Sequence, residues 1–501
     1  MNRRRLVALV SALSLLGIGF LAALAAVLVT RSDTGRDWVR DLLLTRMKGA
    51  VHGRMYVGKI SGSMLTGVVV DSLEIRDEDD SLFVATGRIA VTYDPRDLWD
   101  RRILLRTVEV EHPVVRVQRF EQGGWNYKRI FRRGDRRLTP RTGPGFGDYI
   151  VADSVALHDA TFILTMPWHP ADSLRGHRRD SAVAFNVART NAEIRRAGRN
   201  FTRTWRWTGA EARVSHARIA RPDSVGKLFV VSDLAVRESD PPFLFSNVRA
   251  TVRNLGDSVW LDVRHFDLPG STGRASGKIV WGSNLPVRYD IAVVGDSVSL
   301  RDVAWVYPTL PRDGGGSMRL QIRNDPRNLS VIDYALSRMD VRTTRSRLRG
   351  AMTYGVGGPV LVVKDVALEA APVDFELLRT LNGKPFPVDW QGTVTGTVRG
   401  RGGPLNRFEV DEAQFTFRDA HVPGAVTRGS ARGGLDILFP ALTVFRGLAV
   451  DVERLDLRTI TNLFPNFPRI GGTLVGRATL DSSWLDVRFS NADVTHSIGA
   501  G

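Results

Sequence analysis

Nine histidines, 53 Asp and Glu, and no cysteine are the material from which a reaction site would have to be built in this chain of 501 residues. The missing cysteine removes a thiol nucleophile, a thiolate metal site and a disulfide framework. The histidines are dispersed, with no pair at metal-ligand spacing beside a carboxylate, so His52, His112, His158 and His169 read as surface or turn residues. No Gly-x-Ser-x-Gly elbow, P-loop or His-Glu-x-x-His stands in the sequence. Asp77-Glu78-Asp79-Asp80 has the charge to hold calcium but lacks the spaced ligands and terminal Glu of an EF-hand loop, and reads as a solvated hairpin turn. Gly314-Gly315-Gly316 would cradle a phosphate only if a helix start with Lys and Ser/Thr followed; a strand pattern follows instead. Paired carboxylates are abundant, but any chain with 53 acidic residues supplies them without implying a glycosidase. The expectation is no catalytic residue, no cofactor and no metal: a protein that is not an enzyme.

Charge gives a second line. Lys+Arg outnumber Asp+Glu by 70 to 53, a net charge of +17, and only seven of the 70 are lysine. Guanidinium pairs with phosphate through two parallel hydrogen bonds, so the excess suits anionic headgroups or other phosphates. The arginines are scattered along strand-like segments instead of being gathered in a basic helix or arm, so nucleic acid is not an expected partner.

The elements that position these residues begin at the N-terminus. Leu6 to Thr30 carry no charged side chain, with Leu6, Leu15, Phe20 and Leu28 among them, and Arg3, Arg4 and Arg5 precede them. As a helix such a stretch spans ~37 Å, enough for a hydrocarbon core of ~30 Å with some tilt. It exceeds the ~7–15 apolar residues of a signal peptide, and no small-x-small site precedes Arg31. An uncleaved transmembrane anchor with the body exported is expected. Trp38, Val39, Leu42, Leu43 and Met47 follow at helical spacing and predict an amphipathic helix at the interface.

From Ile60 onward apolar and polar residues alternate with period two, and turn residues punctuate the runs. Leu73-Glu74-Ile75-Arg76, the acidic turn and the run from Phe83 to Tyr93 form a hairpin pattern. Arg132 to Gly147 read as a mobile loop, and Ala171 to Asp180 as another.

Two blocks repeat at an offset of 157 residues: Leu300-Arg301-Asp302-Val303 through Pro308, and Leu457-Arg458-Thr459-Ile460 through Pro465. Each predicts one or two helical turns ended by proline. A strand of the form Gly-x-apolar-x-Gly-x-apolar recurs at Gly273–Ile279, Gly392–Val398 and Gly472–Ala478, with a variant at Gly316–Ile322. Its apolar positions, Ile279, Met318, Val394, Val398, Leu474 and Ala478, are the candidate lining of a groove. Fixed units whose strands present one apolar face are the mark of stacked architecture. A trough open to acyl chains and a face closed by a second sheet both fit the pattern.

The order of these features resembles a known family. The anchor, Gly58-Lys59-Ile60-Ser61-Gly62, Leu65-Thr66-Gly67-Val68-Val69-Val70, Leu73-Glu74-Ile75, Tyr93-Asp94 with Leu98, Ile103-Leu104-Leu105 and Val108 to Val115 look like the start of AsmA-like proteins, the TamB family above all. Gly124-Trp125-Asn126, Val155 to Thr161 and the repeated Pro-to-Gly unit also fit. The resemblance implies an inner-membrane-anchored periplasmic protein with a taco-shaped β groove, linked to outer-membrane biogenesis and phospholipid movement, and no catalytic residues. TamB-like chains run far longer, into a domain that engages an outer-membrane barrel partner. This chain stops at Ile498-Gly499-Ala500-Gly501 soon after a repeat, so a fragment or short member is expected.

The expected fold is mainly β: an N-terminal transmembrane helix, then an elongated, curled antiparallel β-sheet groove with short helices. The expected segments are a cytoplasmic tail and anchor (1–31), a juxtamembrane helix (32–50), an N-terminal β module (51–131), a flexible loop (132–148) and a repetitive β-groove body (149–501). Phospholipid is the expected cargo, with arginines at the groove mouth meeting phosphate, the inner membrane the anchor's site and an outer-membrane barrel protein a partner. The alternative is a non-enzymatic scaffold or assembly factor that binds outer-membrane or secreted clients by strand addition.

Overall fold

The computed structural model describes residues 52–498 apart from 64–65, 95, 98–101, 132–147, 171–173, 190–192, 199, 222–225, 240–241, 281–286, 305–308, 357–361, 383–390, 404–406, 439–441, 464–467 and 484–485. The anchor residues Leu6, Leu15, Phe20 and Leu28, the juxtamembrane helix and the loop at 132–147 therefore lie outside the described residues. Among the described residues no helix is long and apolar enough to cross a membrane. They are mainly strand, in ladders antiparallel except along one strand of the first unit, with few helices, and fall into two compact units, one up to Leu255 and one from Gly256.

The first unit opens with four strands, each broken once. The segments are β1 (Arg54–Val57) with β2 (Ile60–Ser63), β3 (Gly67–Val70) with β4 (Leu73–Arg76), β5 (Leu82–Thr86) with β6 (Ile89–Tyr93), and β7 (Ile103–Glu111) with β8 (Val114–Gln118). Hairpin pairing joins β2 to β3, β4 to β5 and β6 to β7, while β1–β4, β3–β6 and β5–β8 complete the ladder. The expected hairpin at 73–93 is thus present, but Gly87 and Arg88 break its second run into β5 and β6. Its acidic turn is solvated at Glu78, Asp79 and Asp80, as expected, but not at Asp77. Asp77 is buried, and its Oδ1 accepts hydrogen bonds from the backbone N–H of Asp79 (3.0 Å) and Ser81 (2.8 Å). The carboxylate is occupied in making the turn.

The long strand β9 (Ile150–Trp168) then runs parallel to β7 along its first half and to β8 along its second, which makes it the spine on which the bent meander lies. Its other edge pairs with β11 (Asn200–Ala220), followed by β12 (Lys227–Glu238) and β13 (Leu244–Asn254); β10 (Ile194–Ala197) adds to β11. His112, Asp159 and Gly209 take positive φ at neighbouring places on β7/β8, β9 and β11, and register shifts accompany them on β11. Bulges in line bend adjacent strands together. Helix α1 (Asn126–Ile130) seals a small core, with Ile130 fully buried against Ile75 and Met55, Leu73, Phe83 and Val84 around them. The buried Asn126 of the Gly-Trp-Asn motif holds this helix in place: its Nδ2 donates to Arg116 O (2.8 Å) and its Oδ1 accepts from Gln118 N (3.0 Å). The loop expected over 171–180 is instead helical from Gly176, in α2 (Gly176–Arg189), because a run of Arg and Ala without proline favours a solvent-facing helix.

The second unit is one antiparallel ladder in chain order: β14 (Ser258–Asp267), β15 (Thr272–Val280), β16 (Arg288–Ser299), β17 (Gly315–Asn324), β18 (Ile332–Arg342), β19 (Arg347–Val356), β20 (Val362–Asp374), β21 (Gly392–Gly402), β22 (Phe408–Asp419), β23 (Val426–Leu438), β24 (Leu442–Asp456), β25 (Thr473–Ser483) and β26 (Arg488–Ser497). Helices α3 (Leu300–Val303), α4 (Phe375–Asn382) and α5 (Leu457–Leu463) follow β16, β20 and β24. The two repeat blocks seen in the sequence are helical over Leu300–Val303 and Leu457–Leu463, their expected ends at Pro308 and Pro465 lying outside the described residues, and their 157-residue offset contains a third helix. Phe375 opens α4 between them, in the place of Leu300 and Leu457, and all three residues are buried. The true unit is therefore four strands and one helix. Among the glycine-led strands, those at Gly316, Gly392 and Gly472 follow a helix and are equivalent, while that at Gly273 lies in β15, a different slot.

Candidate functional site

Register decides which residues share a face. In β17, Met318, Leu320 and Ile322 lie opposite Gly295, Val293 and Ile291 of β16, and Ile291 and Tyr289 face Gly277 and Ile279 of β15. Across β18 the same row continues as Leu320–Leu336–Met352, then Val366 and Gly400. Val398 lies between Leu368 and Ala413, and Val394 between Val373 and Phe417. The row ends with Ala478 opposite Val450 and Leu474 opposite Leu455. All six candidate residues, Ile279, Met318, Val394, Val398, Leu474 and Ala478, thus fall on one face of the ladder.

That face is apolar, and most of it is open. Ile279, Met318, Val394, Val398 and Leu474 are half-buried, and only Ala478 is buried. Pairing is strand to strand in a single ladder, so no second sheet of this unit covers them among the described residues. The opposite face carries the charges. Arg477 Nε donates to Asp451 Oδ2 across β25 and β24 (2.8 Å), and Arg347 makes two bonds to Asp340, at 2.8 and 2.6 Å. These arginines hold the Asp340 carboxyl far below the usual carboxylate range.

Several residues of the apolar face were not singled out from the sequence. Tyr334 and Tyr354 lie directly opposite each other with stacked rings, centroids 5.3 Å apart, and burial pushes both phenols up from their ordinary value. Phe417 meets Phe375 of α4 edge-on at 5.2 Å, so the helix closes one end of the row there. The available signal was their period-two placement, which Ala335 between Tyr334 and Leu336 blurs.

The histidines gather elsewhere. At the bend of the first unit His112 Nε2 stands 3.7 Å from Asp159 Oδ2, and His158 Nδ1 stands 3.1 Å from Glu211 Oε2. The N–H of Asp159 donates to Glu211 (2.9 Å); this bond and His158 hold the Glu211 carboxyl below its ordinary value. All four side chains are exposed, so they tie a bulge in open solvent instead of enclosing a reacting group. Among the described residues no group of three or more such side chains is placed to hold a metal ion.

These observations define a class: a mainly β, repeat-built protein whose ladder has one apolar and one charged face. No protein-family model matches the chain, and no curated protein or solved structure matches it either.

Proposed function

We propose that the chain is an inner-membrane-anchored periplasmic protein of outer-membrane biogenesis that carries phospholipid along the apolar face of its β ladder. The observation that supports this most is the row from Ile279 to Leu474, mostly half-buried and carried from strand to strand across the second unit, with a bulge in each pairing. An acyl chain laid on it would remove apolar surface from water, at roughly 25 cal/mol per Å². It would ask for no hydrogen bond, since the ladder pairs its own backbone groups. The apolar segment from Leu6 to Thr30 would tether this surface at the inner membrane, where lipid is available. The same half-exposed row disfavours a closed sandwich core.

The test uses the full chain, extracted from membranes and assayed for co-purified lipid by mass spectrometry. Phospholipid bound in stoichiometric amounts is expected, with most of it lost in Val398→Asp and Leu474→Asp and retained in Thr397→Asp on the charged face. Wild-type protein free of lipid would overturn the reading.

A further inference from the structure

The two ends of the first unit differ. β9 is 19 residues long, so about 60 Å of strand separates Ile150 from Trp168. The chain enters at the Trp168 end: the N–H of His52 donates to Ile130 O (2.8 Å) at the close of α1, and β8 ends there with Arg119 N donating to Thr165 O (2.9 Å). The four tryptophans described in this unit all lie in this half of the β9–β11 ladder. Besides Trp168, Trp205 and Trp207 stand opposite Leu164 and Phe162, and Trp125 is bridged to Arg119. Trp168 meets Phe201 edge-on at 6.0 Å, while Tyr127 and Phe131 are 36% and 43% exposed.

Positive charge gathers at the same end. From Arg175 to Arg206, where the chain turns from β9 through α2 and β10 into β11, the sequence holds nine arginines against two acids, Asp180 and Glu193, so these 32 residues contribute +7 to a net charge of +17. Arg175, Arg178, Arg179 and Arg196 are exposed, as are Arg119 and Lys128 beside them, and among the described residues no carboxylate pairs with any of the six. The acids of this end are largely engaged. Arg54 and Arg76 meet Asp80, Arg129 meets Asp79 and Arg206 meets Glu193, which leaves Glu121 and Asp180. Tryptophan and tyrosine favour the headgroup level of a bilayer, and arginine pairs with lipid phosphate, so the two compositions found together here are those of a membrane-facing surface.

We infer that this end of the first unit docks on the surface of an anionic bilayer, with its aromatic side chains at headgroup level and the arginines of α2 and β10 on lipid phosphates. The inference rests on the membrane-anchored reading above and adds which end of the unit meets the membrane. Only residues 31–51 separate the apolar segment from His52, so the basic, aromatic end is also the one next to the tether along the chain.

The chain has no cysteine, so Ala197→Cys in β10 and, at the opposite end, the exposed Lys227→Cys can each carry a single fluorophore. The labelled full chain is reconstituted with vesicles of phosphatidylcholine mixed with phosphatidylglycerol, and with vesicles of phosphatidylcholine alone, both bearing a headgroup quencher. In the phosphatidylglycerol vesicles quenching at 197 should exceed that at 227 by about fivefold or more, the factor that one basic residue near an anionic surface supplies. Arg178→Glu, Arg179→Glu and Arg196→Glu together should bring 197 down to the level of 227 while the chain still floats with the vesicles, and an unchanged circular dichroism spectrum reports that the variant is folded. Equal quenching at the two positions, equal quenching at 197 in both kinds of vesicle, or quenching that survives in the triple variant overturns the docking surface and leaves the anchored reading standing. Flotation lost in the triple variant keeps the docking surface and removes the tether, and wild type that does not float removes both. Release of the 197 probe from vesicles by an oligonucleotide would assign the surface to nucleic acid and overturn the inference.

Discussion

The hydroxyl of Ser271 donates a 2.6 Å hydrogen bond to Oδ2 of Asp302, and both residues are buried. The same Ser271 Oγ accepts from the N–H of Ser299 (2.8 Å), and Asp302 also accepts from Gly270 N (2.9 Å). The turn before β15 is thereby fastened to the start of α3. One unit later Ser346 Oγ accepts from Asp374 N at 2.9 Å, just before α4. A serine in the turn and a chain leaving its strand for a helix meet in both units, so the bond sets how each helix folds over the strand ends.

Ser271→Ala should therefore loosen α3 without disturbing the ladder. It leaves the Asp302 carboxylate and the Ser299 N–H short of partners, a loss of about 1–3 kcal/mol. With two compact units a single unfolding midpoint is not the right measure. Amide exchange in residues 268–303 should speed up, with that in β19 to β21 unchanged. The double variant with Asp302→Ala should cost less than the two single changes added.

The strands were legible in the sequence because alternation is a local signal: the Gly-x-apolar-x-Gly runs all proved to be strands, and the blocks at Leu300 and Leu457 proved helical. The intermediate unit at Phe375 was not, since its helix reads Phe-Glu-Leu-Leu where the others read Leu-Arg-x-Val/Ile, and a buried large apolar residue is all the position demands. The break of each early strand was hidden for a related reason. A bulge depends on pairing with the neighbouring strand, and His112 and Asp159 take positive φ without being glycine. The six candidate residues could be placed on a common face from period two alone.

Gly396 marks where the glycine pattern itself is required. Its φ is +148°, and an added Cβ would lie 1.9 Å from the backbone oxygen of Gln414 on β22. Gly396→Ala must shift the backbone of one strand, at a cost on the order of 1–3 kcal/mol. Faster amide exchange across β21 and β22 is expected, while Thr397→Ala, beside it on the charged face, should leave exchange as in wild type.

Lys364 holds two carboxylates at the other end of the ladder. Its Nζ contacts Asp325 and donates to Asp333 Oδ2 at 2.8 Å, and Asp333 is buried. Lys364→Met keeps the length of the side chain and removes the cation, leaving Asp333 uncompensated. Because Lys364 is partly exposed, the loss should be nearer 2–3 than the roughly 3–5 kcal/mol of a fully buried pair. Adding Asp333→Asn should restore much of it, as read from amide exchange in β18 and β20.

Asp340 offers a pH test with few competing groups, since the partners that lower its carboxyl are arginines, whose charge does not change. Arg347 makes both its bonds, and Arg342 and Arg349 stand 3.7 Å away. A carboxyl whose folded pKa lies below its unfolded one stabilises the fold fully above the unfolded value of 3.8, and that gain disappears as pH falls through the folded value. Asp340→Asn should therefore speed amide exchange in β18 and β19 relative to wild type by a constant factor above pH 5. The factor should shrink steadily below the ordinary aspartate range. The site is open to water, so added salt should narrow the gap at every pH. A difference that instead grew on acidification would mean that Asp340 is stabilised in its protonated form, and that the paired arginines do not set its charge.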